Sequence, residues 1–201
     1  MCQHEKQDGC VKITLPLALT LGRVAAIPVV LALFYVPVHI GGHEVSRQLA
    51  TVIYAAAAIT DWLDGYLARK WNQTSKFGAF LDPVADKLLV AVCLVMLLQD
   101  QPGGVLAALV AVIIGREITI SALREWMAEL GARTHVAVSW IGKVKTGFQM
   151  TSIGMMIWQI DTFHLPIYQM GYGLLFIAAV LTIWSMVVYL KAAWPLMADN
   201  N

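Results

Sequence analysis

Residues 60–92 read TDWLDGYLARKWNQTSKFGAFLDPVADKLLVAV, and this stretch decides how the rest of the chain folds. It places Asp61, Asp64, Asp82 and Asp86 between two long apolar runs, in a 201-residue chain that is 59% hydrophobic and only 13% charged. A mean hydropathy of +0.68 removes the chain from the soluble globular class. Working outward, apolar runs cover roughly 14–37, 48–70, 78–99, 104–130, 145–160 and 166–190. Each is close to the ~20 residues that a helix needs to cross about 30 Å of hydrocarbon. Backbone groups in lipid have no water to bond, and the runs lack the period-two alternation of a barrel strand, so helices are expected. The expected fold is therefore all-α: a six-helix polytopic transmembrane bundle forming one domain over residues 1–201, with 1–12 as a polar leading segment.

The lysines and arginines orient that bundle. Lys6, Lys12, Arg69, Lys70, Lys76, Arg133, Lys143, Lys145 and Lys191 all fall on one side, whereas the opposite connections hold only Arg47. The positive-inside rule then predicts cytoplasmic termini and a cytoplasmic aspartate-rich connection. The polar opening MCQHEKQDGC argues against a cleaved signal peptide. Cys2, Cys10 and Cys93 show neither CxxC pairing nor framework spacing, so no disulfide is expected. A net charge of +1 points to no nucleic-acid partner. His39, His43, His135 and His164 share no ligand spacing and read as interfacial polar residues, and the methionines and tryptophans as helix contacts and interfacial anchors.

Asp61 and Asp64 are three apart and Asp82 and Asp86 four apart, so each pair occupies one helix face. Two helix ends can thus aim four carboxylates at one point. Unpaired, each would cost about 2.5–3.5 kcal/mol in lipid, and a divalent cation removes that penalty. All-oxygen ligation suits Mg²⁺ or Mn²⁺. Gly65, Ala68 and Gly78 keep bulk off the same faces, and Arg69 adds a planar cation suited to phosphate oxygens. Since Mg²⁺ commonly bridges carboxylates and substrate phosphates, a diphosphate substrate follows.

The pattern Asp61-x2-Asp64-Gly65-x2-Ala68-Arg69-x8-Gly78-x3-Asp82-x3-Asp86 resembles the signature of the CDP-alcohol phosphatidyltransferases, every spacing intact. The resemblance implies a six-helix membrane enzyme, commonly a homodimer, with two divalent ions on the CDP diphosphate. By that likeness Asp61, Asp64, Asp82 and Asp86 are metal ligands, and Asp86 is also the general base on the acceptor hydroxyl. Gly65, Ala68, Arg69, Ser75 and Gly78 would line the nucleotide and diphosphate. Family members often carry Leu-Pro-Asn-x-Leu-Thr-x-x-Arg in the first span. This chain reads LPLALTLGR, with Leu17 in the Asn position, and Thr20 and Arg23 join the nucleotide site by the same likeness.

The acceptor must be read elsewhere. GREITISALRE at 115–125 sets Arg116, Glu117, Arg124 and Glu125 in an apolar segment, and such charges usually face a bundle interior or a cavity. Arg116 and Arg124, eight apart, can face one pocket, and GKVKTG at 142–147 adds Lys143 and Lys145. Together they suit an anionic phosphomonoester. The alternative is that Arg124 pairs with Glu117 and the lysines anchor to headgroups. The segments FGAFLDPVADK, GREITISALREWMAELGA and GKVKTGFQM resemble the bacterial branch of the family that uses sn-glycerol 3-phosphate as acceptor and CDP-diacylglycerol as lipid donor. Serine, inositol phosphate and phosphatidylglycerol are the rival acceptors. Intramembrane prenyl transfer is disfavoured by chain size and aspartate spacing. A cation transporter is disfavoured because all four aspartates cluster near one membrane face.

Overall fold

The computed structural model describes residues 15–35, 42–71, 76–129, 140–161 and 165–198. These hold six helices: α1 (Leu15–Tyr35), α2 (Gly42–Trp71), α3 (Lys76–Asp100), α4 (Gly104–Glu129), α5 (Trp140–Trp158) and α6 (Ile167–Ala198). Every apolar run has become a helix. The boundaries shift where polar residues continue a helix past its apolar stretch. α2 already begins at Gly42, α5 takes in Trp140 to Lys143, and α6 continues to Ala198.

Among the described residues, three helices are long and apolar enough to cross a membrane, over Ala18–Tyr35, Gly104–Met127 and Ile167–Lys191. The other three, α2, α3 and α5, carry the aspartates or the lysines of the motifs. The surface of the protein is that of a membrane protein. Phe176, Val180, Ile183, Trp184 and Val187 form an exposed apolar stripe on α6, and Val29, Val52, Ile59, Val84 and Val95 are exposed on α1, α2 and α3. The interior, conversely, buries Thr20, Arg23, Ser46, Arg116, Lys145, Gln149, Ser152, Thr182 and Ser185. In lipid the hydrophobic effect does not drive helix against helix, so close packing and interhelical hydrogen bonds must hold the fold.

α5 and α6 form the most extensive helix pair, and α1 packs on both α2 and α3. Gly171 makes the first contact possible. A Cβ there would lie 2.9 Å from Met156 Cγ and 3.1 Å from the Ser152 carbonyl oxygen, while the Ser152 hydroxyl donates to the Gly171 carbonyl at 2.6 Å. The apolar core around Leu94, Leu97, Ile113, Ile153, Met156 and Leu175 fills the space between α3, α4, α5 and α6. At the end of the bundle away from the aspartates, Arg47 pairs with Asp100 and stacks on Phe34, 4.7 Å from its centroid. Gln159, in the left-handed region with φ 56° just past α5, donates to the other Asp100 oxygen at 2.7 Å. Asp100 thereby ties α2, α3 and α5 together. Pro28 and Pro83 lie inside α1 and α3 and each leaves a helix carbonyl without its backbone donor. Pro83 itself directly follows Asp82.

Candidate active site

Three helices build the acidic site. On α3, Asp82 and Asp86 are one turn apart, and Asp61 on α2 joins them. On α1, Thr20 and Arg23 are also one turn apart and face the same point. A single nitrogen, Arg23 Nη1, lies 3.0 Å from Asp61 Oδ1, 3.1 Å from Asp82 Oδ1 and 2.5 Å from Asp86 Oδ1. The Thr20 hydroxyl donates to Asp82 Oδ1 at 3.2 Å. Asp61 and Asp86, from different helices, thus meet at the same guanidinium nitrogen. The Arg23 side chain is 1% exposed, whereas those of Asp61, Asp82 and Asp86 are 27%, 36% and 29% exposed. A buried cation therefore backs a carboxylate cluster that is itself partly open. One positive charge against three negative ones leaves the group short of positive charge.

Thr20 and Arg23, expected at the nucleotide, thus reach the carboxylates themselves. Gly78 is half-buried at the start of α3. Asp64, Gly65, Ala68 and Arg69 lie on the helical backbone of α2 and Lys143 on that of α5, but their side chains are outside the described residues, as is all of Ser75. Among the described residues, no three His, Cys, Asp or Glu side chains form a ready metal-ligand group. The fourth aspartate of the motif is not among them. The donors that do converge are all carboxylate oxygens on one cationic point, a set that fits a hard divalent ion.

A cavity of about 290 Å³ opens beside this cluster. Asp61, Asp82 and Asp86 form one part of its wall, Lys87, Glu117 and Arg124 another, and Thr146, Gln149 and Met150 of α5 a third. The carboxylate cluster therefore shares one chamber with Lys87 of α3 and Arg124 of α4. Arg116 is buried behind it. Its Nη2 donates to Ser185 Oγ at 2.8 Å, and its Nη1 lies 3.4 Å from Glu117 Oε1. Lys145, 2% exposed, forms an ion pair with the same Glu117 oxygen. Arg124 Nη2 donates to the Tyr189 hydroxyl at 2.9 Å, and both arginines lie over the Tyr189 ring, at 5.9 and 5.2 Å from its centroid.

Arg116 and Arg124 do converge, on one tyrosine of α6, but only Arg124 reaches the cavity wall. Glu117 pairs with Arg116 and Lys145, and the bonded partner of Arg124 is Tyr189. Such an arrangement can hold an anion beside Arg124 and Lys87 and a hydroxyl beside Asp86. Sequence reasoning missed Lys87, Gln149, Ser185 and Tyr189. Lys87 stood in plain view beside Asp86, and Lys87 now donates to Ser121. Ser185 and Tyr189 are one turn apart on α6, polar groups within the apolar run Leu174–Leu190, and that was their available signal.

Comparison with known proteins agrees with this chemistry. Residues 13–187 match the family model of the CDP-alcohol phosphatidyltransferases. The chain is 49% identical over 189 residues to proteins of Escherichia coli (strain K12), Shigella boydii serotype 4 and Shigella flexneri serotype 5b, covering 94% of this chain and the whole of each relative. All three relatives bear the name CDP-diacylglycerol–glycerol-3-phosphate 3-phosphatidyltransferase.

Proposed function

The chain belongs to the CDP-alcohol phosphatidyltransferase family, and from that premise we propose that it forms phosphatidylglycerophosphate. It transfers the phosphatidyl group of CDP-diacylglycerol to sn-glycerol 3-phosphate and releases CMP. The observation that carries this reading is the single cavity walled by Asp61, Asp82 and Asp86 and by Lys87 and Arg124. A transferase for an anionic alcohol needs these two groups within one small molecule's length of each other.

Asp86 accepts the proton of the acceptor's primary hydroxyl, whose oxygen forms the new bond to the lipid-side phosphorus as the bond to CMP breaks. Lys87 and Arg124 hold the acceptor's phosphate, and Tyr189 fixes the Arg124 guanidinium by a hydrogen bond and a ring face. Glu117 holds Lys145 and Arg116 in place behind them. Arg23 keeps the three carboxylates gathered. Divalent ions, Mg²⁺ or Mn²⁺ and two of them by family likeness, would be held by Asp61, Asp64, Asp82 and Asp86 and would offset the charge that develops on the diphosphate.

The same reading places the protein in the cytoplasmic membrane of a bacterium. All six helices cross, with both termini and the cavity on the cytoplasmic side, and the family likeness supports a homodimer. The distribution of lysine and arginine and the bacterial relatives support that placement.

The test is CMP release by purified protein in detergent with CDP-diacylglycerol, run with Mg²⁺ or with EDTA and with glycerol 3-phosphate, serine, inositol phosphate or phosphatidylglycerol as acceptor. Metal-dependent release with glycerol 3-phosphate alone is expected. Release with a different acceptor would overturn the acceptor assignment, and full activity in EDTA would overturn the metal assignment.

A further inference from the structure

Gln149 lies on α5, one turn beyond Lys145, and its side chain lines the cavity that Asp86 and Arg124 also line. The residue is 4% exposed, and its Oε1 has no hydrogen-bond partner among the described residues. Such atoms are uncommon in folded interiors, because burial forfeits the bond that water would have made. Of the two neutral polar side chains on the wall, Thr146 is exposed and Gln149 is the buried one.

We propose that the Gln149 amide binds the secondary hydroxyl of the acceptor alcohol and so selects a 1,2-diol phosphate over an acceptor lacking that hydroxyl. The inference rests on the glycerol 3-phosphate reading given above. That molecule presents three polar groups of different character. Its phosphate calls for cations, which Lys87 and Arg124 supply. Its primary hydroxyl calls for a base, which Asp86 supplies. Its secondary hydroxyl lies on the carbon between them and is neutral, so it calls for a neutral partner that can donate or accept. An amide does both, and its terminal torsion is broad, so the unpartnered oxygen can turn to the ligand at little cost. A charged side chain there would serve worse. A carboxylate would repel the neighbouring phosphate, and a further cation would draw the phosphate away from its place.

The experiment compares two acceptors, glycerol 3-phosphate and 3-hydroxypropyl phosphate, which keeps the phosphate and the primary hydroxyl but lacks the secondary one. With full-length protein in detergent, CDP-diacylglycerol and Mg²⁺, kcat/KM is measured for each with the wild type and with Gln149→Met. The wild type is expected to favour glycerol 3-phosphate by about ten- to a hundredfold, the range for one buried hydrogen bond left unmade. Gln149→Met is expected to bring the ratio to within about threefold of unity, losing activity with glycerol 3-phosphate alone. The ratio, taken within one preparation, is independent of how much of the variant is folded, so a purely structural role would leave it unmoved. Equal use of both acceptors by the wild type overturns the proposal, and so does an unchanged ratio in the variant. If Gln149→Met turns over neither acceptor, Gln149→Ala is read the same way, and the wild-type ratio still decides. Wild-type turnover with some other alcohol but not with glycerol 3-phosphate overturns the acceptor reading itself, and this assignment with it.

Discussion

Replacing Arg23 by Met keeps most of the side-chain stem and removes the one guanidinium that, among the described residues, touches Asp61, Asp82 and Asp86. At an effective dielectric constant near 20, one pair at 3 Å is worth about 5 kcal/mol gross, most of it cancelled by desolvation of the buried guanidinium. Breaking a fully buried pair from one side costs about 3–5 kcal/mol, but these carboxylates are roughly a third open to solvent, which lowers the figure to about 2–3 kcal/mol. For a chain of 201 residues that corresponds to a Tm lower by about 4–12 °C. The assay is a thermal melt of purified protein in detergent, once in EDTA and once in millimolar Mg²⁺. In EDTA the variant should melt well below the wild type. Added Mg²⁺ should then restore more stability to Arg23→Met than to the wild type, since the metal supplies the charge that the three carboxylates lack. An equal deficit in both buffers would mean that only packing had been lost, and no deficit in EDTA would refute the counter-charge role altogether.

Three further outcomes follow from the geometry. Gly171→Ala forces a Cβ against Met156 and the Ser152 carbonyl and should cost about 1–3 kcal/mol, whereas Gly173→Ala, with open space at its Cβ, should leave the melt nearly unchanged; equal melts would refute the tight α5–α6 contact. Asp86→Asn should lower kcat by at least about a hundredfold while CDP-diacylglycerol still binds, as removing a general base does; near-normal turnover would remove that role. Tyr189→Phe keeps the ring under both arginines but loses the hydroxyl that holds Arg124, so KM for glycerol 3-phosphate should rise by about three- to tenfold with little change in kcat, and an unchanged KM would place Arg124 outside acceptor binding.

The sequence by itself determined the helices and the local pairing of the aspartates. Apolar runs in a chain of this composition have no other way to satisfy their backbone, and the spacings 61/64 and 82/86 set side chains on one face wherever a helix forms. It blurred the helix ends, because Gly42 to Arg47 and Trp140 to Lys143 are too polar for a hydropathy window yet remain helical. What the tertiary structure alone decided is which distant face meets which. Thr20 and Arg23 reach Asp82 across 62 and 59 positions, and Arg116 and Arg124 reach Ser185 and Tyr189 across 69 and 65 positions. Helical period constrains neighbours three and four apart and says nothing about which helices pack together. That packing turned Gln149 from one polar residue in the middle of a helix into a wall of the chamber that Asp86 and Arg124 share.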